Sequence, residues 1–438
     1  MLKGLVNAFK IEDLRKKILF TLGIFILYRL GAHIPIPGVN IKEMISAFAR
    51  TYSGSILGFY DIFTGGALSR ATIFSLGIMP YISAAIIFEL LVPVIPSLAK
   101  LREEGDEGRR KITQYTRYFT VLVALVQSFG TTIFIESMKS PSGVSVVTHP
   151  GIVFRLVTIL TLVTGAVVVM WLGERITEKG IGNGMSLLIL IGIVARLPSQ
   201  SLSITRMVLS GAMSWIQFIV LLALIFVVTA AVVLVTQAQR RIPVQYAKRV
   251  VGNKIYGGQA THLPLNVNAA GVIPIIFAQS ILMFPNTIVS FFAKDAAWGQ
   301  TLINLFRPTG PLYVTIYGLL IVFFAYFYTA MVINPEEIAN NMQKYGGFVP
   351  GVRPGKRTAE YIDHVMVRIT LPGAIFFTFI AILPIYIMNW THANIYFGGT
   401  SLLIIVGVVI EVMNTIESHL VMRHYDGFVK KGKIRGRR

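Results

Sequence analysis

The side chains with the widest scope for acid–base or metal chemistry are His33, His149, His262, His364, His392, His419 and His424, and none is spaced for it. No HExxH helix face or comparable ligand spacing occurs among them. The chain has no cysteine, which removes thiolate metal sites, disulfides and cysteine nucleophiles together. Two glycine-rich stretches remain. GVRPGKRT at 351–358 approaches a phosphate-binding loop, but it is one residue short between its glycines, Arg357 stands where a Ser or Thr should ligate magnesium, and no strand precedes it. GIGNG at 180–184 lacks a βαβ context and reads as a tight loop. The sequence therefore points to no catalytic residues, no metal and no cofactor.

The elements available to position any function are membrane spans. Hydrophobic residues make up 54% of the 438 and charged residues only 14%, against about 25% charged in soluble domains. Ten apolar runs have spanning quality: 18–36, 71–94, 118–135, 152–172, 184–197, 215–235, 269–292, 312–333, 369–388 and 396–413. The fold class is an all-α polytopic membrane protein with ten transmembrane helices. Glu12 and Asp13 interrupt the basic N-terminus and no small-residue cleavage pattern follows, so the first run reads as an uncleaved span. Thirty of the 40 Lys and Arg fall on one side of the spans, which places both termini in the cytoplasm. Five spans either side of a connector at 198–211 divide the chain into halves, 1–197 and 212–438; an odd number per half requires the second to be inverted.

A secondary transporter of a small solute is the alternative function. Ion-coupled carriers need ionisable groups in mid-membrane. The third, sixth, seventh, eighth and ninth spans contain no Asp, Glu, Lys or Arg, and Arg29, Glu89, Arg155 and Glu411 lie towards span ends, where they are expected to snorkel. A different feature points to a passage. From Phe59 to Val94 a half-length apolar segment, the break Gly65-Gly66 and Arg70 precede a full span. Broken segments of this kind face protein or a water-filled cavity rather than lipid.

The loops at 236–268 and 334–368 are longer than topology needs and combine basic residues with tyrosine, proline and glycine. Attraction to anionic lipids accounts for part of such charge, at about 1 kcal/mol per basic residue. Docking of RNA phosphates or an acidic protein face accounts for it better.

Seven strings resemble the bacterial SecY family, in order along nearly the whole chain: GGALSRATIFSLGIMPYISA (65–84), EEGDEGRRKITQYTRY (103–118), TEKGIGNGMSL (177–187), RRIPVQYAKR (240–249), THLPLNVNAAGVIP (261–274), FVPGVRPGKRTAEYID (348–363) and YFGGTSLLI (396–404). The resemblance implies a protein-conducting channel, the central subunit of the Sec protein translocase, in the bacterial cytoplasmic (inner) membrane. It implies two inverted five-helix halves around a central pore, opening sideways between the second/third and seventh/eighth helices. Unfolded secretory polypeptides would pass through, and hydrophobic segments would leave laterally into lipid. Within a plug at 59–69, the residues Tyr60, Asp61, Ile62, Phe63, Thr64, Gly65, Gly66, Ala67 and Leu68 would form the short plug helix. The pore ring would be Ile78, Ile82, Met185, Ile189, Ile276 and Ile404, Met185 replacing the isoleucine common there. Arg240, Arg241, Lys248, Arg249, Arg353, Lys356 and Arg357 would dock cytoplasmic partners, Arg353 foremost, and Gln127 and Ser280 would sit at the lateral gate. The partners implied are the subunits SecE and SecG, the motor ATPase SecA, the ribosome (RNA and protein at its tunnel exit), and signal peptides and nascent chains.

Overall fold

The computed structural model describes residues 9, 11–51, 56–140, 143–246, 249–251, 254–256, 260–268, 270–292, 297–306, 310–391 and 399–431. In order, the elements are α1 (Glu12–Gly31), α2 (Ile41–Thr51), α3 (Ile56–Phe63), α4 (Met79–Leu91), α5 (Pro96–Glu103), α6 (Asp106–Ser137), α7 (Ile152–Lys179), α8 (Gly184–Val194), α9 (Leu197–Leu209) and α10 (Trp215–Gln237). There follow β1 (Gln239–Tyr246), β2 (Arg249–Val251), β3 (Lys254–Tyr256), β4 (Ala260–Asn266), α11 (Ile273–Phe292), α12 (Ala297–Leu305), α13 (Pro311–Val332), α14 (Pro335–Lys344), β5 (Gly347–Phe348), α15 (Lys356–Thr391) and α16 (Gly399–Lys431). Each of the ten apolar runs holds a helix. Among the described residues seven helices pass by length and apolarity alone as membrane spans, or eight if α4 and α5, bent by 95° at their break, form one. The protein is a multi-pass membrane protein.

Three boundaries differ from the sequence expectation. The second run becomes helical only at Met79, because residues 64–78 fold as successive turns around Gly65, Gly66 and Gly77, all at positive φ, before Pro80 starts the helix. The short helix expected over Tyr60–Leu68 is Ile56–Phe63 instead, so the glycines follow the helix and end it. The connector 198–211 is mostly the helix α9, which Gly211 terminates at φ +75°.

Local sequence explains the cleaner boundaries. In GIGNG, Asn183 caps α8, accepting from the N–H groups of Met185 and Ser186. Ser214 and Gln217 form a capping box on α10. Between spans, small residues permit close approach, the usual basis of helix packing in lipid. A Cβ on Gly184 would collide with the Gly173 carbonyl oxygen of α7, and one on Gly165 with the Ile73 carbonyl oxygen. Charge pairs fasten α6 to α7 near both ends: Arg117 Nε to Glu174 Oε1 and Arg155 Nε to Glu136 Oε2, each 2.7 Å. Arg155 is thus paired rather than simply snorkelling.

The two long basic loops, treated separately in the sequence, fold as one body outside the spans. β1 pairs antiparallel with β4 (Ile242 opposite Leu263) and with β5 (Tyr246 opposite Gly347), giving the order β4-β1-β5. Beneath the sheet, Ile242, Val244, Leu265, Met342, Val349, Ile362 and Met366 make a core distinct from the membrane core.

Overpacking a tight interface costs about 1–3 kcal/mol. Gly184→Ala should therefore lower the thermal unfolding temperature of the detergent-solubilised protein. Gly23→Ala, where nothing lies within 4 Å of the new methyl, should leave it unchanged or raise it.

Candidate functional site

The short helix α3 packs against α8 of the first half and α11 of the second. Every residue from Tyr60 to Leu68 is buried, and Tyr60, Ile62, Phe63, Ala67 and Leu68 belong to one apolar cluster that runs through the spans. Ile78, Ile82, Ile189, Ile276 and Ile404 are members of that same cluster, each 6% exposed or less. Four spans, α4 with its N-cap Ile78, α8, α11 and α16, thus deliver the five isoleucines to the same apolar body that holds residues of α3 and the turns after it. Met185 is half-buried and packs against it, but its thioether lies over Gly173 of α7, so it leans on its neighbour in the first half. Spacing on α8 put Met185 and Ile189 on one face; the gap that Gly173 leaves turns the longer side chain aside.

The segment 60–68 is fixed by polar contacts that spacing does not reveal. Tyr60 donates to the Leu76 carbonyl at 2.8 Å. The wholly buried Asp61 accepts from the Ser69 N–H at 2.8 Å through Oδ1, and its Oδ2 lies 2.7 Å from Arg196 Nη1. Arg29 Nη1 donates to the Gly65 carbonyl at 3.1 Å. Arg29 was expected to snorkel; its guanidinium instead turns inward to this segment. A Cβ on Gly65 would come within 3.0 Å of Gly192 Cα and 2.9 Å of Arg29 Nη1, so both the positive φ and the space require glycine. Breaking a buried pair such as Asp61–Arg196 from one side costs about 3–5 kcal/mol, towards the lower end here because the Arg196 side chain is 28% exposed.

At the side of the pore, α11 packs against α4 and α6. Gln127 on α6 is 6% exposed and its Oε1 has no partner among the described residues; Ser280 on α11, 4% exposed, donates to the Ile276 carbonyl. They lie on facing helices with no hydrogen bond between them. Arg102 of α5 donates to the Met331 carbonyl of α13 at 3.2 Å, bridging the two halves.

The body made by the two long loops carries Arg240 and Arg241 on β1 and Arg353, Lys356 and Arg357 around the start of α15, all exposed. Arg357 has a loose pair with Glu360 at 3.7 Å, and the other four have no carboxylate partner among the described residues. The loop bearing Arg353 is shaped by Gly351 and Gly355 at positive φ and held by the Thr358 hydroxyl, which donates to the Arg353 carbonyl at 2.9 Å. Lys248 lies outside the described residues; Arg249 opens β2. No group of three or more His, Asp or Glu that could hold a metal occurs among the described residues.

Comparison with known proteins decides the family. The SecY family model matches residues 72–413. The chain belongs to the SecY family. It is 46% identical over 432 residues to the protein translocase subunit SecY of Aquifex aeolicus, covering 98% of this chain and all of that one. To the protein translocase subunit SecY of Escherichia coli strain K12 it is 46% identical over 426 residues, covering 97% and 96%. Three solved structures have the same fold at 17% identity. A protein-conducting channel aligns with TM-score 0.63 over 93% of each chain. A SecY structure described as having a plug domain that stabilises the closed channel and maintains a membrane seal aligns with TM-score 0.64 over 93% of this chain and 92% of that one. Sec61 from a canine ribosome–channel complex aligns with TM-score 0.59 over 93% of each. Nothing in these matches favours a small-solute carrier.

Ile362, wholly buried under the three-stranded sheet, supports the presentation of Arg353. Ile362→Ala should cost that body about 2–5 kcal/mol. Limited proteolysis should then cut within 334–368 faster while the membrane-spanning fragments stay protected.

Proposed function

We propose that this chain is the pore-forming subunit of a protein translocase, passing unfolded secretory polypeptides outward and releasing hydrophobic segments sideways into lipid. The observation that carries the reading is the seating of α3, between α8 and α11, in the same dry cluster as Ile78, Ile82, Ile189, Ile276 and Ile404. An apolar constriction of branched side chains resists wetting, so it seals against ions when empty, and it makes no sequence-specific bond to a chain that parts it. Met185 completes the ring from the side of α8, where its flexible thioether can swing off Gly173 as the wall moves. Lateral exit would lie where α4 and α6 meet α11, with Gln127 and Ser280 as polar groups on its two edges.

The chain carries out no catalysis in this reading, so energy must come from partners. The exposed, unpaired Arg240, Arg241, Arg353 and Lys356, with Arg357, Lys248 and Arg249 of the same loops, form the docking face for the ribosome or the SecA motor. Ribosomal RNA supplies phosphates and a motor protein an acidic face, and rigid guanidinium forks suit both. SecE and SecG would cover apolar faces of the spans. The membrane is the bacterial inner membrane, with both termini cytoplasmic as the loop charges direct. The units are a first half, 1–197, a connector and a second half, 212–438.

Arg353→Glu should abolish secretion by the assembled translocase while leaving the protein inserted; normal secretion would remove Arg353 from the docking face. Single cysteines at Ile82 and Ile276 should crosslink to a stalled translocating chain, with a cysteine at position 340 on the cytoplasmic α14 as the negative control.

A further inference from the structure

We propose that the Asp61–Arg196 ion pair is a latch that ties release of the plug to movement at the connector between the two halves. The proposal rests on the pore reading above. Asp61 projects from α3 with its side chain wholly shielded, and Arg196 is its charge partner at 2.7 Å. A carboxylate so placed is held in the protein interior by its counter-charge and by the Ser69 N–H. Moving Arg196 away leaves a buried carboxylate without its counter-charge and with the Ser69 N–H alone on Oδ1, and the favourable response is for α3 to move until Asp61 meets water.

Arg196 is well placed to be moved. It sits at the junction where α8 ends at Val194 and α9 begins at Leu197, and its own carbonyl accepts from Gln200 N–H in the first turn of α9. α8 packs on α7 of the first half. α9 is anchored on the other side: Ile204 and Val208 pack with Met213 and Leu221, the latter on α10 of the second half. A rotation of one half against the other must therefore be absorbed at or near Arg196. The same separation withdraws α11 from the opposite flank of α3. Arg29, whose contact with Gly65 comes from α1 of the first half, stays behind as a fixed point. The latch thus makes unsealing conditional on separation of the halves, rather than on pressure against the plug alone.

The absence of cysteine makes the test direct. Leu68, 1% exposed in the plug, is replaced by cysteine as the single thiol. The protein, assembled with its partner subunits in vesicles, is treated with a membrane-impermeant maleimide from the outer side. In this background Asp61→Asn and Arg196→Gln should each raise the resting labelling rate by about tenfold or more, as expected when a buried pair is broken from one side. The double variant should label no faster than the faster single, because both changes remove the same interaction. Arg196→Lys, which keeps the charge, should fall between the parent and Arg196→Gln. Resting rates equal to the parent in both single variants, or multiplied effects in the double, would overturn the latch. Coupling to the connector is read separately. A stalled translocating chain should accelerate labelling in the parent, and Ile204→Ser with Val208→Ser should blunt that acceleration at an unchanged resting rate. Full acceleration in that variant overturns the coupling. Because none of these readouts measures transport, their failure is distinguishable from failure of the pore assignment, which rests on crosslinks at Ile82 and Ile276.

Discussion

Inside a membrane protein, backbone that leaves the helix must find its hydrogen-bond partners within the protein, and residues 64–78 are where this chain meets that requirement. Gly66 N–H donates to the Asp61 carbonyl, Thr72 N–H and Ser75 Oγ to that of Ala67, and Tyr60 Oη to that of Leu76. Beyond the knot, Ile36 and Ile73 N–H groups cross-pair with the Ala71 and Ile34 carbonyls, tying it to the end of the first span. These bonds make a compact body out of what would otherwise be a loop needing water. A segment that serves as the proposed plug must be self-satisfied in this way, since in that reading it sits among apolar side chains and has to be able to leave them.

Much of the architecture was legible in the sequence because one physical demand dominates it. Spans must be apolar for about 20 residues, and the ten runs that satisfy this each hold a helix. The isoleucines at 78, 82, 189, 276 and 404 are all buried in the one apolar cluster that runs through the spans. Helix starts were harder to read. Residues 71–78 are as apolar as the helix they precede, and the positive φ of Gly65, Gly66, Ala71 and Gly77 separates turn from span. Composition registers hydrophobicity, whereas the boundary is set by backbone geometry.

The contacts joining distant parts of the chain were not legible. Arg29 and Arg196 at span ends look alike to any rule based on depth, yet both turn to the segment 61–65, one to a carbonyl and one to a carboxylate. The pairing of Tyr246 with Gly347, which merges two loops into one sheet, links residues separated by two spans. β1 does show alternation at Ile242 and Val244, a faint signal of the core beneath it that prolines at 243 and 264 obscured.

That merged sheet has a mechanical consequence. α10 runs directly into β1, β4 leads into α11, α13 is followed by α14 beneath the sheet, and β5 leads into α15. Helices from four separate spans are therefore rooted at one end in a single folded body with its own core. Those ends cannot spread independently without breaking that core, while the opposite ends carry no such tie to it. Motion of the second half is thus geared as a pivot with its fulcrum at that body, and a modest tilt there becomes its largest displacement at the far end.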